Sequence, residues 1–340
     1  MIVHSQDYIP SEKGSYSLNL VDSLFLDDVL EHTTDQIGTF ALNDKFIFHA
    51  TQSPVSLFAY DLKTGEQILK FGNMGRGPYE YQNPWHLRLS ENKLHLLDYV
   101  NGLMSFDFNG HGVDNQLILR GAYSDFVLSD SLLILRRDQS PNHLLIEIRN
   151  TESNAVIQET GLGSPDDAWL KSIPKPGGLM AEADTIWYIH PSRLELIRYN
   201  ITDRISKSIT YQNNRFRNPV FQRTMDQVQQ NPQLLFDYLL NRSVVTGFYR
   251  MSTDLHIIEI VHFDRENGDR LELMLLDTAY KWHDSFFFST DFNKKNGERI
   301  RAIAGNRLLF YSELSNADNN SLIKQIRFYE LNRMPDGTKH

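Results

Sequence analysis

IGTFALNDKFIFHATQSPVSLFAYDLKTGEQILKFGN, residues 37–73, reads as four short strands separated by turn signals. Ile37–Leu42 is a strand and Asn43-Asp44 a turn; Lys45–Ala50 is a second strand, followed by a loop over Thr51–Pro54. Ser56–Asp61 reads as a third strand. Lys63-Thr64-Gly65 forms a tight turn, and Glu66–Phe71 returns as the fourth. Strands of this length with turns between them make an antiparallel meander.

The same plan recurs along the chain. A second unit uses residues 86–90, 93–99, 103–108 and 115–120, and a third uses 125–128, 132–137, 143–149 and 155–160. A fourth uses 178–182, 185–190, 194–200 and 205–211, and a fifth 244–250, 255–263, 270–277 and 280–286. The sixth has only three strands, 299–303, 307–311 and 322–330. A landmark closes each third strand: Tyr60-Asp61, Phe106-Asp107, Ile148-Arg149, Tyr199-Asn200, Leu276-Asp277 and Tyr329-Glu330. Four of the steps between landmarks are roughly 42 to 53 residues, the length of a β-propeller blade. The long step, from Asn200 to Asp277, contains an insertion over about residues 221–241 that reads as helical. Phe221, Met225 and Val228 share one face, Leu235 and Leu239 another, and Pro232 breaks or kinks the helix between them. The insertion either packs on the rim or forms a lid. The strand missing from the sixth unit is supplied by Tyr16–Val21, which closes the last blade and hides a sheet edge. The expected fold is therefore all-β: a single six-bladed β-propeller of four-stranded antiparallel blades over residues 16–332. Residues 1–15 and 333–340 are tails, and the helical insertion lies in blade five.

Bulk properties narrow the function classes. The 340 residues are 41% hydrophobic, enough for a large core, and the net charge is −9. An acidic chain argues against nonspecific nucleic-acid or anionic-membrane binding. Cysteine is absent, which excludes disulfides, thiol nucleophiles and Cys-ligated zinc. No run reaches the ~18 apolar residues of a membrane span. Met1-Ile2-Val3-His4-Ser5-Gln6-Asp7 has neither the basic nor the apolar region of a signal peptide. The chain is then either cytoplasmic or a trimmed mature form with an added Met.

Between the first two units stands Phe71-Gly72-Asn73-Met74-Gly75-Arg76-Gly77-Pro78-Tyr79-Glu80-Tyr81. Glycine permits positive φ and close backbone approach, while Pro78 fixes its own φ and restricts Gly77. The stretch is thus a shaped loop that presents Arg76. The repeat count, this Gly75-Arg76-Gly77-Pro78-x-Glu80 loop and the preceding Tyr60-Asp61-Leu62-x-Thr64-Gly65 turn together resemble the six-bladed, TolB-like (NHL-like) β-propellers abundant in Bacteroidota. The family commonly has glycine where this chain has Tyr79. The resemblance implies an exported protein of the cell envelope, in the periplasm or at the cell surface. Many members are lipoproteins anchored through an N-terminal cysteine, a residue this chain lacks. It implies no catalytic set.

Propeller geometry gathers the loops between second and third strands, and those joining blades, on one face. That face is expected to collect Arg76, Arg120, Arg136, Arg137, Arg193, Arg215 and Arg217, with Trp85, Tyr99 and His190. Guanidinium forks hold carboxylates or sulfates, and the aromatics stack a sugar or another ring. The same arginines also serve to bridge neighbouring blades, and Glu80 to accept N–H groups of its own turn. The first functional reading is a non-catalytic module that binds a small anionic or saccharide ligand, or a peptide, on this face. The alternative is a metal-assisted hydrolase, lactonase or lyase using acidic residues at the channel mouth, with Asp125, Glu182 and Glu298 to inspect. A third is a scaffold in an envelope assembly, partnered by another envelope protein through an exposed apolar patch. The candidate cofactor is calcium, at Asp291–Glu298 or Asp264–Asp269; the first breaks the EF-hand spacing, and both read as turns. The 12 histidines contain no H-E-x-x-H. Gly161–Ser164 is no nucleophile elbow, and Gly72–Gly77 is no P-loop.

Overall fold

A computed structural model describes residues 8–10, 12–26, 39–52, 54–90, 92–119, 121, 123–129, 131–139, 143–161, 178–219, 227, 230–231, 233–252, 255–289, 299–316 and 321–334. The fold is an all-β, six-bladed propeller built from four-stranded antiparallel sheets. Two strands, β1 (Tyr8–Pro10) and β2 (Tyr16–Phe25), precede the first blade. Blade one is β3 (Thr39–Leu42), β4 (Phe46–Gln52), β5 (Val55–Asp61) and β6 (Gln67–Lys70). Two short strands follow, β7 (Asn73–Met74) and β8 (Glu80–Tyr81). Blade two is β9 (Pro84–Ser90), β10 (Lys93–Asp98), β11 (Gly102–Asp107) and β12 (Gly112–Leu117). Blade three is β13 (Tyr123–Ser129), β14 (Leu132–Gln139), β15 (His143–Asn150) and β16 (Val156–Gly161). Blade four is β17 (Gly178–Glu182), β18 (Thr185–Ile189), β19 (Glu195–Asn200) and β20 (Ile205–Thr210). After the helix α1 (Gln233–Leu239), blade five is β21 (Ser243–Ser252), β22 (Leu255–His262), β23 (Arg270–Leu276) and β24 (Trp282–Ser289). Blade six contains β25 (Ile300–Ala304), β26 (Arg307–Asn316) and β27 (Ser321–Arg333).

The chain divides into two compact units, residues 1–126 with 293–340, and residues 127–292. In the first, β2 pairs antiparallel with β27 from Tyr16↔Arg333 to Phe25↔Gln325, so an N-terminal strand completes blade six as expected. β1 then adds a fifth strand outside β2, in a stretch whose sequence reads only as a tail.

The repeating landmark has a physical origin. Its first residue is a core residue in every blade: Tyr60, Phe106, Ile148, Tyr199, Leu276 and Tyr329 are all buried. Its second caps the hairpin between strands three and four. Asp61 Oδ1 accepts the N–H groups of Lys63 and Thr64, and Asp107 Oδ1 those of Asn109 and His111. Asp277 Oδ1 accepts Ala279 and Lys281, and Asn200 Oδ1 accepts Asp203. Such Asx turns satisfy amides that the hairpin leaves open. In blade three the cap is Asn150, one residue beyond the Arg149 of the sequence landmark; it accepts Glu152 and Ser153. In blade six β27 runs on past Glu330, so no hairpin follows.

Inner strands are buried on both faces and outer strands on few positions. β22 and β23 are buried along almost their whole length, whereas β16 and β20 are largely exposed. Within each unit, adjacent blades pack through aromatic and aliphatic layers: Phe48, Phe71, Tyr81, Leu94 and Phe106 between blades one and two, and Trp187, Ile258 and Met274 between four and five. Each fully buried side chain of this kind stabilises the fold by about 1.5–3 kcal/mol.

The blade-five insertion is helical over Gln233–Leu239. Phe221, Met225, Val228 and Pro232 lie outside the described residues. The described end is fastened to blade five: Asp237 Oδ1 accepts Arg265 at 3.4 Å, and the buried Arg242 guanidinium both stacks on the Tyr238 ring at 4.6 Å and donates to its hydroxyl oxygen.

Candidate functional site

The glycine-rich loop is held by its own polar groups. Gly72 has φ +51°, and a Cβ there would lie 2.5 Å from the Tyr79 carbonyl oxygen. The loop doubles back so that β7 and β8 pair in parallel, Asn73↔Glu80 and Met74↔Tyr81. Glu80 folds inward, and its Oε2 accepts the Gly77 N–H at 2.6 Å. A Cβ on Gly75 would lie 2.0 Å from that oxygen, so glycine is required where the carboxylate is seated. Tyr79 has φ +57°, the left-handed region that favours glycine. Its ring compensates: it fills the space beside Gly112, meets Phe106 edge-on at 6.1 Å, and its hydroxyl donates to the Asp114 carbonyl.

Asp98 and Asn101, both missed in the sequence, join this loop to blade two. Asp98 Oδ2 accepts the N–H groups of Gln82 and Asn83, and its Oδ1 those of Val100 and Asn101. Asn101 Nδ2 donates to the carbonyls of Gly75 at 2.9 Å and Glu80 at 2.8 Å. Gln116, in β12, donates to the Asn101 carbonyl, which adds the end of that strand to the assembly. The Asp98-x-x-Asn101 spacing was the available signal, since Asp and Asn at turn starts bind the backbone two and three residues on.

Arg76 stands exposed on this frame, its Nε 3.3 Å from Gln82 Oε1. Tyr99 is also exposed, with its ring centroid 6.3 Å from that of Trp85. Trp85 lies in β9 and is half-buried rather than displayed on a loop.

Among the described residues, the other candidate arginines are engaged within the chain or buried. β14 continues to Gln139, so Arg136 and Arg137 are strand residues with side chains on opposite faces. Arg136 is 1% exposed. Arg137 lies 3.6 Å from Glu147 Oε2 and 3.9 Å from Glu159 Oε1. His190 is buried, and its Nε2 accepts Arg193 Nη2 at 3.1 Å; Arg193 also pairs with Glu195 at 3.3 Å. Arg217 pairs with Asp264 at 3.1 Å and donates to the Phe263 carbonyl. Arg215 stacks on Phe287 at 4.6 Å and reaches Glu272 Oε1 at 3.4 Å. Arg120 lies outside the described residues.

The acidic candidates are likewise engaged. Asp125 Oδ1 is 3.0 Å from Arg88 and 3.2 Å from His86 Nε2. Glu182 pairs with Arg250 at 2.8 Å. Asp264 Oδ1 accepts Glu266 and Asn267 N–H groups, and the Asn267 contact above all holds the Asp264 carboxyl down to about 2. The Asp264–Asp269 stretch is thus a self-capped turn. Asp291–Glu298, including Glu298, lies outside the described residues. Among the described residues no three His, Asp or Glu side chains converge as metal ligands.

A buried polar cluster in blade five also escaped the sequence reading. Glu272 is fully buried and accepts Ser285 Oγ at 2.7 Å, with His262 Nε2 at 2.9 Å and Asn213 Nδ2 at 3.1 Å. His262 Nδ1 lies 2.8 Å from Ser243 Oγ, which accepts the Arg217 N–H. Burial pushes the Glu272 carboxyl up, but its contacts to His262, Ser285 and Asn213 outweigh it and hold the carboxyl below the ordinary range. Ser243 is fully buried, so this Ser–His–Glu chain fastens strands and offers no nucleophile to a substrate.

Residues 26–262 match a family model, DUF5128, described as a six-bladed β-propeller. Two solved structures share the architecture. A member of the DUF4221 family from Bacteroides vulgatus is 9% identical with a TM-score of 0.63, covering 94% of this chain and 99% of its own. A Bacteroides fragilis protein designated as exported is 10% identical with a TM-score of 0.60, covering 96% of this chain and 97% of its own. At these identities the likeness is one of fold. No curated protein matches the sequence. Among the described residues no helix is long and apolar enough to cross a membrane.

Proposed function

The chain belongs to the DUF5128 family of six-bladed β-propellers, and from that premise we propose that it is a non-catalytic binding module. Its recognition element is the Phe71–Tyr81 loop, and Arg76 is the side chain that meets an anionic group. One observation carries this reading. Among the described candidate arginines, Arg76 alone is exposed, lies in no ion pair and sits on a loop whose shape is fixed by other residues. A pre-shaped loop binds without an ordering cost, and a guanidinium fork suits a carboxylate or sulfate. Asp125 and Glu182 are each held by an arginine, so no observation favours the metal-assisted hydrolase.

The proposal extends to an envelope setting, in line with the TolB-like resemblance and with the exported designation of the Bacteroides fragilis neighbour. The test is a thermal-shift and calorimetric screen of uronic acids, sulfated sugars, dicarboxylates and acidic peptides against the wild type and Arg76→Gln. The expected result is at least one ligand whose affinity falls tenfold or more in the variant while its unliganded Tm is unchanged. Binding that survives Arg76→Gln, or no binding by any compound, overturns the reading.

A further inference from the structure

The loop face is more apolar than a site for a free sugar or dicarboxylate would be. Met74 is 67% exposed, Ile118 69%, Tyr99 48% and Val100 47%. They stand on three segments joined by the Asn101, Asp98 and Gln116 hydrogen bonds described above. Several polar side chains of those segments are turned inward. Asp98 accepts four backbone N–H groups, Glu80 is seated in its own turn, Asn101 bridges two carbonyls, and Gln82 holds Arg76 Nε. Among the described residues, a thioether, two aliphatic chains, a phenol and a guanidinium face outward, with the Asn73 amide beside Met74. Saccharide recognition requires several convergent hydrogen-bonding side chains around the hydroxyls, and Asp98, Glu80, Asn101 and Gln82 are already engaged. Aromatic residues, Met and Arg are instead the residues enriched in protein–protein interfaces, with Arg and Tyr prominent among hot spots. Met adapts its shape to varied apolar partners.

Resting on the binding-module reading, we propose that the occupant of this face is a peptide segment of a partner protein that carries a carboxylate beside apolar residues. The carboxylate pairs with the Arg76 fork, and the apolar residues lie on Met74, Tyr99, Val100 and Ile118. Charge complementarity selects this occupant: among the described residues of the face, Arg76 is a cation in no ion pair, on a chain of net charge −9. It also disfavours a second copy of this acidic chain.

The test is selection from a random twelve-residue peptide library displayed on phage, panned on the wild-type chain and counter-selected on Arg76→Glu. Enriched peptides are then made with each Asp or Glu intact or changed to its amide, and titrated by fluorescence anisotropy. Expected are enriched sequences with Asp or Glu next to an apolar residue. Their affinity should fall at least tenfold on amidation and in Arg76→Glu, and about fivefold in Tyr99→Ser. Lys63→Glu, the same charge change at an exposed turn, should leave it unchanged. No enrichment, or binders indifferent to their carboxylate, overturns the proposal. Arg76-dependent binding of a uronic acid or sulfated sugar with no peptide enriched sinks the peptide inference and leaves the binding reading standing. Arg76-independent results throughout sink both.

Discussion

Glu80 holds its own loop, and that sets how Arg76 can be tested. Glu80→Ala removes the acceptor of the Gly77 N–H and empties the seat between Gly75 and Gly77. The expected loss is about 1–3 kcal/mol in urea unfolding, accompanied by loss of any Arg76-dependent ligand. Unchanged stability together with unchanged binding would show that the carboxylate does not shape the loop. Arg76→Gln should behave in the opposite way, with binding lost and stability kept. His95 gives a separate handle. It lies between Ser90 Oγ and Ser105 Oγ, each 2.8 Å from a ring nitrogen, with Lys93 and Asp114 as the nearby charges. Burial is the main cause that lowers its pKa to about 4. The folded state therefore binds fewer protons than the unfolded state between about pH 4 and 6.5. The resulting stability is full above 6.5 and is lost as pH falls through 4, about 3 kcal/mol at most. Wild type should thus lose stability more steeply than His95→Gln across that window, as read from urea midpoints. Parallel pH profiles would rule out His95 as the source. Residues of this kind were the least legible in the sequence. Arg136 reads as the end of a strand because arginine is seldom buried, and here the strand simply continues and encloses it. Glu272 and His262 carry no motif that singles them out in the sequence, and only the burial of the middle strands on both faces brings them into one network.

At the scale of elements the sequence was far more informative, because a blade repeats its turns. In blades one to five, strands three and four are joined by a short hairpin, and the residue that caps it must offer an oxygen to amides two to four positions on. That requirement is why Asp61, Asp107, Asn150, Asn200 and Asp277 recur. The one-residue offset at Arg149 came from reading the buried partner instead of the capping oxygen. Asp61→Ala should lower the urea unfolding midpoint, while Asp61→Asn, which keeps the accepting Oδ1, should lower it much less. Equal losses in the two variants would argue that charge rather than capping is at work. The Gly75–Glu80 motif was legible as a shaped loop for a similar reason: several glycines around a proline are tolerated only where the backbone needs them. The loop's dependence on Asp98 and Asn101 was hidden because those residues lie some 20 positions away, in a different blade.

Across the whole molecule the decisive pairing is β2 with β27. Removal of residues 1–25 strips β27 of its outer neighbour and opens a long sheet edge, which invites association. Removal of residues 1–15, which takes β1 alone, leaves that pairing intact. The first truncation should aggregate on size exclusion or melt well below wild type, and the second should stay monodisperse with a modest change in Tm. Comparable behaviour of the two would mean that β1 rather than β2 secures blade six. This closure was legible because the sixth unit is one strand short and a spare strand stands at the other end. The placement of the arginine side chains was not, since it depends on where strands stop, the weakest part of any reading from sequence.

The β2–β27 pairing also fixes an order of events during synthesis. A strand made among the first 25 residues waits for one made after residue 320, while blades with neighbouring strands can form as they emerge from the ribosome. Blade six is therefore the last to be completed. A chain that stops short leaves its opening strand without a partner, so completion of the fold reports that translation has reached the end of the propeller.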